Sequence, residues 1–297
     1  MTITAKIIAD SVNLLGERIT TMQLRYPRFI HSEFMTHRVF SRNASSSRAI
    51  PVARQIEDIL SDTAMPIHWG KNQPGMQARE EHDTEVEMFR PFHETSSSAG
   101  FPGWNEIEDL STQNLTMVKE AGTAEEAWRN ARDFAIATAQ AFNKAGYHKQ
   151  VVNRLLEPFS HINVIVTATA WDNFFALRLH PDAQPEIHEL AKVMFGAMDS
   201  SEPTVASAHL PYLSGQERIG RTLQEQCQIS AARCARVSYM THDGRPSDPE
   251  KDIQLAASLW NDGHWSPFEH QAFPTPGETH ANFDGWGSAR SIAAEVE

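Results

Sequence analysis

Only two cysteines, Cys227 and Cys234, occur in 297 residues, so neither a disulfide framework nor a four-cysteine metal site can be built from this chain. Their spacing of seven suits one side of a helix, where thiols act as small buried hydrophobes. Basic residues are also scarce. The 26 Lys and Arg stand against 38 Asp and Glu, a formal net charge of -12. Such a chain lacks the positive field that general nucleic-acid binding needs, although a local basic pocket is still allowed. No segment approaches about 18 uninterrupted apolar residues, and the opening MTITAKIIADSV has neither a basic flank nor a long apolar core. No membrane span and no export signal are expected, and a cytoplasmic enzyme or binding protein is the simplest class.

What is present is a polar run, THRVFSRNASSSRAIPV, from Thr36 to Val52. It gathers His37, Arg38, Asn43, Ser46 and Arg48 close behind the apolar segment Phe29 to Phe34. Serine hydroxyls, backbone N–H groups and guanidinium forks together suit an anion. Serine-rich stretches are also common as solvated linkers, so composition leaves both readings open. Arg178, following Phe174, Phe175 and Leu177, has two readings as well: an arginine in a ligand pocket, or one snorkelling at the surface.

Periodicity predicts a strand over Lys6 to Leu15 with a hairpin partner over Arg18 to Leu24, a turn at Tyr26–Pro27, and a helix over Val52 to Leu60. Residues 67–103 carry an acidic cluster and read as an insertion or lid. A helix is expected over Leu115 to Ala145, stopped by Gly146, then helical stretches over Lys149 to Leu156, Gln184 to Ala197, Gln226 to Tyr239 and Pro246 to Trp260. GHWSPFEH, residues 263–270, reads as a compact loop, and 274–297 as a turn-rich, mobile tail. His264 and His270 have no third or fourth ligand near them in sequence, so ordinary hydrogen bonding is weighed above a metal site and no metal is assigned. The expected fold class is α+β (α/β), with helices packed in layers beside a sheet, and one large domain is possible at this length.

The polar run resembles the RHRx7S signature of flavin-dependent thymidylate synthases: Thr36-His37-Arg38, seven residues, then Ser46, with Ser41, Asn43 and Arg48 on matching positions. Thr36 replaces the first arginine of that pattern and Ala49 its terminal aromatic. Lys149 to Pro158 resembles a segment ending in R-x-x-x-P, with Arg154 on the arginine. WDNFFALRLHPDAQPEI, residues 171–187, resembles NFLxLR followed by AQxEI. Ala235 to Tyr239 and GHWSPFEH resemble segments that precede the signature in the family but here come near the end of the chain. A circular permutation accounts for that order, with Ile19 to Leu24 continuing in space from the Gln271–Phe273 region.

The resemblance implies a single catalytic domain over 1–297 with a central antiparallel sheet packed with long helices, in a homotetrameric, FAD-dependent transferase acting on dUMP, with NADPH and methylenetetrahydrofolate as cosubstrates. It assigns His37, Arg38, Asn43, Asn173, His264 and Ser266 to the cofactor, and Glu33, Ser46, Arg48, Arg154 and Arg178 to the nucleotide. Ser46 and Arg178 are its catalytic candidates, Ser46 lining the pyrimidine without a base beside it in sequence to make it a nucleophile. Glu33 stands where the family usually has a glutamine. With Thr36 it keeps two alternatives open: a related modification such as 5-hydroxymethylation, and flavin or nucleotide binding without turnover.

Overall fold

The computed structural model describes residues 1–92, 116–237, 240–241 and 245–294. They fall into two compact units, one of Met1 with Ser47–His161, the other of Thr2–Ser46 with Ile162–Glu297.

The second unit is built on a five-stranded sheet. Its strands are β1 (Thr4–Val12), β2 (Arg18–Pro27), β3 (Ser41–Ala44), β6 (His161–Ala168) and β7 (Thr204–Val205), in the order β3-β6-β2-β1-β7. The β1–β2 and β3–β6 pairs are antiparallel, but β7 joins β1 in parallel through Ser11–Thr204 and Val12–Val205. The sheet is therefore mixed at this edge rather than wholly antiparallel.

Both faces of the central strands are buried, which is why β6, HINVIVTA, reads as a nearly continuous apolar run without clean alternation. Even-numbered residues, including Met22, Leu24, Val164 and Val166, enter one core with Phe34, Phe40, Trp171 and Phe174. That core is closed by α1 (His31–Phe34), α5 (Asp172–Arg178) and α6 (Pro185–Asp199), the last contributing Ile187, Leu190, Ala191 and Met194. Odd-numbered residues face the C-terminal segments: Ile19 packs with Ala272, Phe283 and Trp286, and Ile165 with Cys234 and Val237.

Those segments contain α7 (Gly215–Arg218), α8 (Leu223–Arg236), α9 (Pro249–Asn261), a 3-10 turn at Ser266–Glu269, and α10 (Ala289–Ala294). Arg233 of α8 joins the buried Asp252 of α9 at 3.0 Å and Glu217 at 2.5 Å, and this partner holds the Glu217 carboxyl down to about 2. Cys227 and Cys234 both lie in α8, and burial raises both thiols, as the bland reading of their spacing requires. Where the sequence suggests a turn-rich tail, β8 (Ala272–His280) and β9 (Phe283–Ser288) form a hairpin. Prolines and glycines disguise it, and its packing falls mainly to Phe273, Phe283 and Trp286. It docks on the β1–β2 turn: the Trp286 indole N–H donates to the Glu17 carbonyl at 3.0 Å and the Asn13 amide to the Gly285 carbonyl at 2.9 Å. Gly285 has φ +72°, and a Cβ there would meet the Glu17 carboxylate at 2.2 Å, so only glycine fits.

The first unit holds α2 (Val52–Ser61), the antiparallel pair β4 (Val86–Phe92) and β5 (Thr116–Gly122), α3 (Ala124–Lys144), and α4 (Lys149–Val152) running into a 3-10 stretch, Asn153–Phe159. The helix expected from Leu115 starts only at Ala124. Thr123 and Glu126 form a capping box there, while Thr116 and Val118 extend the chain in β5. Gly146, with φ +87°, follows its end as expected. Val52, Ile56 and Ile59 pack against Ile136, Ala139, Val152 and Leu156 in this unit's core. Residues 93–103 of the expected insertion lie outside the described residues, as do 295–297 of the tail and Ser238 and Tyr239.

Candidate functional site

The polar run begins as α1 ends. Phe34 is buried, Met35 and Thr36 turn outward, and His37 turns back in to stack on Phe40 and meet the edge of Phe174 at 4.9 Å. Arg178, the last residue of α5, donates from Nε to His37 Nε2 at 2.9 Å, and its Nη2 lies 3.3 Å from Thr36 Oγ1. A guanidinium only donates, so His37 Nε2 carries no proton and the ring is the neutral Nδ1–H tautomer. Burial, then the positive charges of Arg178 and Arg42, push its pKa down to about 4. Arg178 is thus held by side-chain contacts at the head of the run rather than extended into solvent.

Arg42 supports this turn from β3. Its Nη1 donates to the Phe34 and His37 carbonyls at 3.2 and 3.0 Å, and half-burial lowers its pKa against the opposing charge of Glu269. Glu269 belongs to the 263–270 loop, whose 3-10 turn packs on β3. The polar run and the GHWSPFEH loop, 225 positions apart in sequence between Arg38 and Gly263, therefore meet in space. Within that loop His264 and Ser266 are exposed, Phe268 is buried, and Glu269 pairs with Arg290. His270 is fully buried on Thr167, whereas His264 is exposed.

The other expected residues are placed as follows. Asn43 is half-buried in β3, opposite Ile165. Arg38, Ser46 and Asn173 are exposed, and none has a side-chain partner among the described residues. Asn173 stands five residues before Arg178 on α5, about 140° round the helix, so the two project differently. Glu33 is half-buried; its carbonyl accepts from the Thr36 hydroxyl at 2.7 Å, and its Oε2 is buried without a partner among the described residues.

Arg48 and Arg154 belong to the first unit. Both are exposed, Arg154 pairing with Glu157 at 2.9 Å. Glu157 also accepts from Ser47 at 3.0 Å, and the buried Asn153 donates to the Ser47 and Ile50 carbonyls at 2.7 and 3.0 Å. Asn153 and Glu157 thereby fix the turn that carries Arg48. Sequence reasoning assigns neither of them, nor Arg42, a role; the R-x-x-x-P match that brackets Glu157 was the available signal.

Residues 18–204 match the family described as thymidylate synthase complementing protein. No curated protein matches the chain. Among solved structures, the chain is similar to the UMP/dUMP methylase PolB from Streptomyces cacaoi bound with 5-Br dUMP, at 14% identity over 66% of this chain and 90% of that one, with a TM-score of 0.41. It is also similar to Thymidylate Synthase X from Helicobacter pylori with FAD and dUMP, at 14% identity over 61% of this chain and 67% of that one, TM-score 0.34. The family match takes in most of the polar run's surroundings, from β2 through α6, and on that extent the chain belongs to the thymidylate synthase complementing protein family.

Proposed function

We propose that this chain is a circularly permuted, FAD-dependent enzyme that transfers a one-carbon unit from methylenetetrahydrofolate to C5 of a pyrimidine nucleotide, dUMP in the first instance, with NADPH as reductant. The observation that carries this reading is the Arg178–His37 contact within the family-matched region, beside a β3 strand on which the 263–270 loop packs. Permutation is supported by the same loop and by the docking of the β8–β9 hairpin on the β1–β2 turn. Assembly as a homotetramer rests on the resemblance alone.

The donor set fits a flavin nucleotide. The exposed guanidinium of Arg38, the amide of Asn173, the imidazole of His264 and the hydroxyl of Ser266 have no side-chain partners among the described residues and offer donors to phosphates and to ring carbonyls. When bound, the flavin supplies the redox chemistry that no side chain here offers. The chain's own work is to bind and orient. His37 accepts at Nε2 and so aims the Arg178 fork, leaving Nη1 and the second proton of Nη2 for an anionic or carbonyl oxygen of the nucleotide. The assignment of Arg48 and Arg154, in the first unit, to the nucleotide rests on the resemblance alone. Ser46 is exposed with no base against it, which suits a residue lining the pyrimidine rather than a nucleophile.

The test is anaerobic incubation of the purified protein with FAD, NADPH, methylenetetrahydrofolate and dUMP, followed by mass analysis of the nucleotide. A gain of about 14 Da, one CH2, is expected, and a gain of about 30 Da identifies hydroxymethylation instead. An unchanged nucleotide in the presence of tightly bound FAD sinks the catalytic reading for this acceptor.

A further inference from the structure

On the odd-numbered face of the sheet, polar side chains form a continuous buried chain. Ser11 Oγ lies 2.9 Å from His209 Nδ1, His209 Nε2 lies 2.7 Å from Thr21 Oγ1, Thr21 Oγ1 lies 2.6 Å from Thr167 Oγ1, and Thr167 Oγ1 lies 2.8 Å from His270 Nδ1. Four of the five side chains are wholly inaccessible to solvent and Ser11 nearly so. Thr21 and Thr167 belong to neighbouring strands β2 and β6, so the chain crosses the sheet and ends on the last residue of the 263–270 loop.

Each hydroxyl has a single proton to give, which polarises the whole series one way. If Thr167 donates to His270 Nδ1, Thr21 donates to Thr167 and His209 Nε2–H donates to Thr21; if instead Thr21 donates to His209 Nε2, Thr167 donates to Thr21 and His270 Nδ1–H donates to Thr167. Both imidazoles are neutral, burial holding His209 and His270 at about 3. His270 Nε2 has no partner among the described residues, so the Thr167 hydroxyl is the one group that fixes this ring through hydrogen bonding. Phe268 in a small apolar cluster and Glu269 on Arg290 hold the rest of the loop from its other sides.

From this geometry we infer that Thr167 is a positioning residue for the 263–270 loop, acting through His270, so that one hydroxyl of the central sheet sets where His264 and Ser266 stand. The inference rests on the proposal that this loop belongs to a flavin site.

Thr167→Val removes the hydroxyl and keeps the shape; Thr167→Ser keeps the hydroxyl. Flavin affinity is read by fluorescence titration and loop position by amide hydrogen exchange over 263–270. Thr167→Val is expected to weaken FAD binding about tenfold and to speed exchange in the loop while β2 and β6 keep their protection; Thr167→Ser is expected to stay within about twofold of the parent. Unchanged affinity and exchange in Thr167→Val overturn the inference. So does an equal loss in Thr167→Ser, or a loss of protection throughout the sheet. Should Thr167→Val fail to fold, the 15N spectrum of the unaltered protein decides. One neutral His270 tautomer with a hydrogen-bonded Nδ1 is expected, and a ring exchanging between tautomers overturns the proposal. If the unaltered protein binds no FAD, the flavin reading falls, and loop exchange still judges Thr167.

Discussion

Arg178 Nε donates to His37 Nε2 at 2.9 Å, joining a residue assigned to the nucleotide with one assigned to the flavin. The two assignments are therefore not independent. Removing Arg178 frees the His37 ring, and removing His37 leaves the guanidinium without its guide. In a double-mutant cycle on ligand affinity, His37→Ala and Arg178→Ala are expected to couple by about 1–2 kcal/mol. Strict additivity in both FAD and dUMP titrations would show that the contact guides neither ligand.

Three buried histidines set an acid limit on stability. His37 is held at about 4 and His209 and His270 at about 3, all below the ordinary value of 6.5. Between those values and about 6.5 the unfolded chain binds protons that the folded chain refuses, so stability is complete above about pH 6.5 and falls as pH drops towards 4. Urea midpoints followed from about pH 7.5 to 5 should decrease, with proton uptake on unfolding; a flat profile would contradict the buried neutral rings.

Glu33 carries a buried carboxylate oxygen without a partner among the described residues. Glu33→Gln keeps the shape, removes the charge and adds an N–H donor. It is expected to raise stability by about 1 kcal/mol and, under the proposed function, to tighten dUMP, whose carbonyl oxygens a carboxylate repels. Thermal melts and nucleotide titration check the two parts, and a destabilised variant would mean that the oxygen does find a partner.

Asn153 holds the turn bearing Arg48 through two donated hydrogen bonds. Asn153→Ala leaves the Ser47 and Ile50 carbonyls unmet and is expected to cost about 2 kcal/mol, with weaker nucleotide binding from a looser Arg48 under the proposed function. Asn153→Asp, which cannot donate when ionised, should fare no better. Equal melting temperatures for parent and variants would rule out this role.

Phe174 is buried among Phe34, His37, Phe40 and Phe175. Phe174→Ala is expected to cost about 3–5 kcal/mol and to loosen His37 along with the core. Chemical denaturation measures the first effect and the His37 ring resonances report the second.

Local signals were legible where local physics dominates. The β1–β2 strand pair, the helix over Val52–Ser61 and the stop at Gly146 follow from periodicity and end chemistry. The helix expected from Leu115 failed because pairing between β4 and β5, a non-local contact, claimed Thr116 to Gly122. The β8–β9 hairpin was hidden for a similar reason: its stability comes from Trp286 and Phe283 packing on Ile19, far away in sequence.

By itself the sequence determined the acidic, cysteine-poor character of the chain, the polar run at Thr36 to Val52, and the segments that resemble one family in altered order. It could not decide which side chains Arg178 meets, nor which of His264 and His270 is buried. Tertiary structure decided both. Arg178 docks on His37, while His264 faces solvent and His270 sits at the end of a buried hydroxyl–imidazole chain. The reason is that a side chain's partner is set by which strands and helices fold beside it, and contacts such as Thr21–Thr167 or Arg178–His37 span more than a hundred residues that carry no local trace of them.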